Sequence, residues 1–312
     1  MQLQAPNQNA LKSTNSGINE ALQAFIKAQD IKANSADLYR RTLKQFFNWV
    51  IIQGLTPGEL THPNIIEYKA YLLKDGKSPL TVGGYITAVR RFYEWAEANK
   101  YYPNIAKNVK NPRRIQQFRK QSLTPKQCEL LLDYTREQSL RDYALTNLLL
   151  RTGLRTIEAI RLNIGDIEPK GERIILKVHG KGHEEKDAFV ILSEKALTPL
   201  LEYIATRPGA KDSEPMFISN SNRNHNERLT TRTISSTIKN ALIGIGLNSK
   251  HYTAHSLRHT TAVSILRAGA SIEHAQGVLR HTSPATTQIY TATIKEEQRL
   301  IHATELMLDN VF

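Results

Sequence analysis

The chain has 312 residues, of which 40% are hydrophobic and 23% charged, and Lys and Arg exceed Asp and Glu to leave a formal charge of +13. That length predicts about two domains, each with a real core, and no apolar run approaches the roughly 20 residues of a membrane helix, which excludes a membrane-spanning chain. Residues 1–16 are polar and lack the apolar stretch of a secretion signal, and the single Cys128 forms no internal disulfide, so a reducing, cytoplasmic setting is expected. The positive charge points to a polyanion as partner, nucleic acid first, because counterions are released when cationic side chains meet phosphates. The competing reading is a basic surface with no such partner.

Residues 1–16 are expected to be a flexible start. From residue 17 to about 99 the apolar residues recur at three- and four-residue spacing, as in Leu22, Phe25 and Ile26 and again in Leu43, Phe46, Phe47 and Val50, which predicts helices throughout. Asn34 or Ser35 reads as the N-cap of the second helix, Thr61 with Pro63 starts a third, and Ser78 with Pro79 starts a fourth that runs through Arg90, Phe92 and Trp95. Four helices over 17–106 make one small domain. Tyr85, Arg90, Arg91 and Tyr93 are candidates for touching DNA, although aromatic residues at helical spacing usually belong to a core.

Lys107, Lys110, Arg113, Arg114, Arg119 and Lys120 follow with no acidic residue among them, broken by Asn111 and Pro112. Residues 107–121 therefore read as a basic linker, either a solvated stretch or one that follows phosphates. The second domain, 122–312, opens on a helix start at Ser122, Thr124 and Pro125, and an apolar helix near 142–150 stops at Thr152 and Gly153. Residues 173–178 and 189–192, joined by a polar turn over 180–187, read as a β-hairpin, and helices return after Ser193. At the end, Leu300, Ala303, Met307 and Val311 fall on one face of a helix over about 294–311.

The residues that carry chemistry lie in short clusters: Arg155 with Glu158, Lys181 between two glycines, His255 with Arg258 and His259, Arg280 with His281, and Tyr290. Each has a plain structural reading when taken alone. Arg155 and Glu158 make an i, i+3 ion pair, Lys181 a hairpin-tip lysine, and His281 a core histidine. His255 and His259 share a helix face at four-residue spacing, as zinc ligands do, but Arg258 lies beside them and no carboxylate stands between, so no metal and no cofactor is expected.

The joint order of Arg155, Lys181, His255, Arg258, His281 and Tyr290 resembles the tyrosine recombinase (phage integrase, Xer-type) family, across about residues 17–295. The resemblance implies a mainly α fold with a small β-sheet: a two-domain clamp of a four-helix core-binding (SAM-like) domain and an α+β catalytic domain. It implies site-specific DNA cutting and rejoining, with Tyr290 attacking the scissile phosphate to give a 3′-phosphotyrosine link and a free 5′-hydroxyl. Planar guanidiniums suit the non-bridging oxygens on which charge grows, which fits Arg155 and Arg258. A phenol with pKa near 10 must lose its proton and the leaving oxygen must gain one. Lys181 is then the expected general acid, His255 a proton-transfer partner, and His281 a hydrogen-bond donor to the phosphate. Glu158 reads as structural.

The expected partners are double-stranded DNA bearing recombination sites, a homo-tetramer on paired sites linked by exchanged C-terminal tails, and accessory proteins, in a cytoplasmic protein associated with the nucleoid when bound. Integration or excision of a mobile element is the leading role. Resolution of chromosome or plasmid dimers, a type IB topoisomerase-like activity and a non-catalytic DNA-binding protein are the alternatives. Two departures from the family pattern stand out. The hairpin continues into His183, Glu184, Glu185, Lys186 and Asp187, leaving Lys181 and Lys186 both open as the acid. Arg280 stands where family members commonly have glycine, so either the turn before His281 differs in shape or Arg280 contacts phosphate.

Overall fold

The computed structural model describes residues 15–113, 121–179 and 185–281, and singly Thr287, Tyr290, Ile294, Arg299, Leu306 and Asp309. It divides into two compact units, Met1–Gln116 and Gln117–Phe312. The expectations for Lys181, Arg114, Arg119 and Lys120 lie outside the described residues, as does nearly all of the expected tail helix.

The first unit is helical: α1 (Asn15–Lys27), α2 (Ala33–Ile52), α3 (His62–Lys74) and α4 (Pro79–Ala98). On α4, Val82, Ile86, Val89, Phe92 and Ala96 are buried, the spacing of a single helical face. That face meets Leu43, Phe46, Phe47 and Val50 of α2 in one core. Aromatic edges do much of the packing: Phe92 lies 5.4 Å from Phe47 and 5.6 Å from Phe25, both in T-shaped contacts.

Helix starts follow the predicted chemistry in α3 and α4. Thr61 precedes α3 and its backbone N–H donates to Asn64 at 2.9 Å, while the Ser78 hydroxyl accepts from the Thr81 backbone at 3.2 Å. The start of α2 differs from expectation. Lys32 is the N-cap, without a side-chain bond, and its carbonyl accepts from Ser35 and Ala36, so Asn34 and Ser35 lie inside the first turn. Tyr93 is a buried core residue, Tyr85 packs partly buried against the same core, and Arg91 is exposed beside Glu94. Ala106 and Val109 are also buried there, so the early part of the basic stretch packs onto this unit while Lys107, Lys110 and Arg113 stay exposed.

The second unit is built around α6 (Leu140–Thr152), which is buried continuously from Tyr143 to Leu149 and packs against α5 (Pro125–Gln138) and α8 (Glu194–Ala205). A helix covered on all sides is the centre of its domain. After it come α7 (Thr156–Ile160), a sheet, α8, α9 (Thr231–Gly244), α10 (Ala254–Arg267) and α11 (Ile272–Leu279). The sheet has β1 (Ile167–Lys170), β2 (Arg173–Val178) and β3 (Ala188–Leu192) in the order β1-β2-β3, all antiparallel. The predicted hairpin is thus the inner and one outer strand of a three-stranded sheet. Strand β1 escaped sequence reading because it is short and carries Pro169, a residue tolerated only where one edge of a strand needs no donor.

Candidate active site

The site is assembled from the C-terminal end of α6, the start of α7, the first half of α10 and the C-terminal end of α11. Helix α6 stops because Gly153 adopts φ 61°, a left-handed conformation natural to glycine. The chain turns there and delivers Arg155 as the residue preceding α7. Arg258 sits in the middle of α10, only 2% exposed. Its Nη1 donates to the Gly153 carbonyl at 2.5 Å and its Nη2 donates to the Leu279 carbonyl, so one guanidinium fastens the ends of α6 and α11 together. Burial of such a charge is tolerated only with partners of this kind.

Glu158, 1% exposed, is the hub of the cluster. Its Oε1 accepts from Arg155 Nη1 at 2.7 Å, its Oε2 accepts from the Arg155 backbone at 2.9 Å and from Arg280 Nη2 at 2.8 Å, and Arg258 Nη1 stands 4.0 Å from Oε2. Burial works against its charge, but Arg280 and then the bonds from Arg155 outweigh it and hold the carboxyl below the usual carboxylate range. Arg155 Nη2 also donates to the Arg280 carbonyl at 3.4 Å.

Arg280 takes φ 54° and ψ 48° as the cap of α11. The turn before His281 therefore keeps the left-handed shape that a glycine would give, rather than a different one. The side chain is drawn inward onto Glu158 and, through Nη1 at 2.6 Å, onto the Val278 carbonyl.

His281 is 8% exposed, and its Nδ1 lies 2.9 Å from the Thr287 hydroxyl. Burial first, then the charges of Arg258, Arg155, Arg280 and His255, push its pKa down to about 4, so the ring is neutral at pH 7. Tyr290, 2% exposed, packs with Ala262, Val263 and Leu279 and lies between two imidazoles, with His259 at 4.9 Å and His281 at 6.1 Å between ring centroids. Burial raises the pKa of its phenol against the pull of Arg258 and Arg155, so it carries its proton at neutral pH.

A cleft of about 530 Å3 opens beside these groups, lined by Arg155, His255 and Arg258 together with Leu154, Thr156, Ile157, Thr253, Ala254, Ser235 and Lys239. His255, in the first turn of α10, is exposed, whereas His259 one turn later is buried. The structure brings Arg155, His255, Arg258, His281 and Tyr290 into one region, and holds Lys186 in an ion pair with Asp166, which is buried. Two contacts were not anticipated from sequence. His259 packs on Tyr290, whereas its four-residue spacing from His255 suggests by itself only a metal-ligand pair. Thr287, fully buried against His281, carried no signal in the sequence.

The sequence profile of the phage integrase family matches residues 121–297, more than half of the chain. The chain belongs to the phage integrase family. The profile of the phage integrase N-terminal SAM-like domain matches residues 18–100 of the same integrase-family chain. Among similar proteins is a tyrosine recombinase XerD of Rickettsia bellii, 27% identical over 289 residues, which cover 88% of this chain and 93% of that one. Similar solved structures include the XerA recombinase, 30% identical with a TM-score of 0.50 over 91% of this chain and 98% of that one. Another is the XerH site-specific recombinase bound to its palindromic difH substrate after cleavage, 19% identical with a TM-score of 0.72 over 92% and 84% of the two chains. The integrase-family member thus has the expected fold, mainly helical with a small sheet, and the expected enzyme class, tyrosine recombinase.

Proposed function

We propose that this tyrosine recombinase binds double-stranded DNA at specific sites and cuts and rejoins it through a 3′-phosphotyrosine link to Tyr290. The observation that carries the proposal is the convergence of Arg155, His255 and Arg258 on one cleft, with Tyr290 packed on Leu279, whose carbonyl Arg258 holds, and His281 stacked on Tyr290. Arg155 and Arg258 hold the non-bridging oxygens, where fixed guanidiniums stabilise growing negative charge without reorganising. His281, neutral and held by Thr287, presents Nε2–H to the phosphate when the Thr287 hydroxyl donates to Nδ1. His255 shuttles the proton of the Tyr290 phenol, and Lys181 supplies one to the leaving 5′-oxygen. Tyr290 is 2% exposed, so attack requires its ring to leave the packing against His259.

Lys107, Lys110, Arg113, Arg114, Arg119 and Lys120, with Arg90 and Arg91, are the cations for the duplex backbone outside the cleft. The enzyme works as a tetramer on paired sites, with tails exchanged between subunits, in the cytoplasm. Its leading role is integration or excision of a mobile element. The Xer names of its relatives favour a second reading, resolution of chromosome or plasmid dimers.

The test is selection of tight-binding duplexes from a random library, followed by incubation of a selected duplex, nicked beside the cleavage point, with purified protein. A denaturation-resistant adduct that maps to Tyr290 and releases a 5′-hydroxyl supports the reading. Binding without an adduct would favour a DNA-binding protein that has lost catalysis, and sequence-independent plasmid relaxation by a monomer would favour a topoisomerase.

A further inference from the structure

Arg280 is placed at a conformational cost and in a charged neighbourhood. A non-glycine residue at φ 54° is disfavoured by its Cβ, and Arg280 adds a third guanidinium beside Arg155 and Arg258. Like charges so close repel unless an anion stands between them, and Glu158 is that anion. Its two oxygens are divided: Oε1 goes to Arg155 Nη1, and Oε2 to Arg280 Nη2 at 2.8 Å and the Arg155 backbone.

The consequence concerns Arg258. Its Nη1 stands 4.0 Å from Glu158 Oε2, too far for a hydrogen bond, and donates instead to the Gly153 carbonyl. A buried carboxylate with a free lone pair would draw in this nearest remaining cation. Arg280 occupies that lone pair and returns a positive charge for the negative one. With Arg280 in place the cluster of three guanidiniums and one carboxylate keeps a net charge of +2, which matches a phosphodiester whose non-bridging oxygens gain negative charge as it is attacked. Without it, Glu158 cancels half of what Arg155 and Arg258 bring.

We propose that Arg280 is a positioning residue that neutralises Glu158, so that Arg155 and Arg258 keep their full charge and their orientation for a phosphodiester. This rests on the reading of Arg155 and Arg258 as the phosphate-binding groups. Arg280 itself does not touch the DNA: its side chain is 10% exposed and its Nη atoms are engaged by Glu158 and the Val278 carbonyl.

The experiment uses the full chain and the selected, nicked duplex described above, under single-turnover conditions. Arg280→Gly suits the backbone angle, and Arg280→Gln, which keeps much of the side-chain stem, guards against a folding defect in the glycine variant. Both are expected to bind the duplex with unchanged affinity and unchanged salt dependence, and to cleave about ten-fold or more slowly, on the scale of one lost charge contact in the transition state. Arg280→Lys is expected to recover most of the rate. In a Glu158→Gln background, Arg280→Gly is expected to cost little further rate, because no carboxylate remains to neutralise.

An Arg280→Gly protein that cleaves at the parent rate would overturn the proposal, as would a full additional loss in the Glu158→Gln background. Weakened duplex binding with a shallower salt dependence would also overturn it, making Arg280 a direct phosphate contact. Arg258→Ala run alongside separates the two levels: if that protein cleaves normally, the phosphate-binding reading itself has failed, whatever Arg280 does.

Discussion

The imidazole of His259 lies 4.9 Å from the ring of Tyr290, with the planes tilted by 37°. Both rings are buried, and a ring-to-ring contact of this kind does not depend on the phenol oxygen. Tyr290→Phe should therefore retain the packing against His259 and His281, with a melting temperature and duplex affinity close to the parent. The covalent adduct should vanish. A denaturing gel decides it, and an adduct surviving in the phenylalanine protein would remove Tyr290 as the nucleophile.

Arg258 has a structural task and, in the proposed mechanism, a chemical one, and its replacement should show both. Arg258→Ala strips the donors from the carbonyls of Gly153 and Leu279, which lie in a buried junction, and should destabilise the fold by about 2–4 kcal/mol in urea titration. It should also lose about 3 kcal/mol or more of transition-state stabilisation, as removal of one oxyanion donor does. Arg258→Lys keeps the charge but cannot reach both carbonyls and should fall between. A normal cleavage rate with collapsed duplex affinity would make Arg258 a binding contact only.

His281 imposes a pH dependence whose sign follows from its depressed pKa. The folded ring resists protonation down to about 4, against the 6.5 of an ordinary histidine, because it is buried and faces Arg258, Arg155, Arg280 and His255. Between these pH values the unfolded chain holds a proton that the folded chain lacks, so stability falls as pH drops through the window, with a limiting slope of about 1.4 kcal/mol per pH unit. His281→Gln should show a shallower fall over the same range. Identical slopes in the two proteins would mean that His281 titrates normally in the fold.

Lys181 and Lys186 can be told apart by the leaving group. Lys186 is paired with Asp166, so Lys186→Met should leave a buried carboxylate without its ion-pair partner and cost about 3 kcal/mol of stability, with little change in cleavage. Lys181→Ala should slow cleavage of an ordinary phosphodiester and recover on a substrate with sulfur in place of the 5′ bridging oxygen, since a thiolate, with conjugate acid pKa near 8.5, leaves without a proton. Recovery in the Lys186 variant instead would exchange the two assignments.

Gly153 is the hinge on which the junction closes. Its φ is 61°, and a Cβ there would stand 2.8 Å from Leu279 Cδ2 and 3.3 Å from Thr261 Cγ2. Gly153→Ala should destabilise the protein by about 2 kcal/mol or more from backbone strain and overpacking together. It should also slow cleavage, because the Gly153 carbonyl is one of the two anchors of Arg258. Unaltered stability would show that α6 and α11 can part without penalty.

Much of this molecule is written locally. The periodicity of Val82, Ile86, Val89 and Phe92 specifies α4, Ser78 and Pro79 mark where it starts, and Gly153 marks where α6 stops, because caps and apolar stripes act over a few residues. The order of Arg155, His255, Arg258, His281 and Tyr290 is likewise written in the chain, and the resemblance to the tyrosine recombinases rests on it. What sequence could not contain was who neutralises whom. That Arg280 keeps a left-handed turn and pairs with Glu158, that Lys186 is occupied by Asp166, and that Tyr290 rests on His259 depend on contacts between residues distant in the chain, where distance and burial, rather than residue type, decide which charge is free to act.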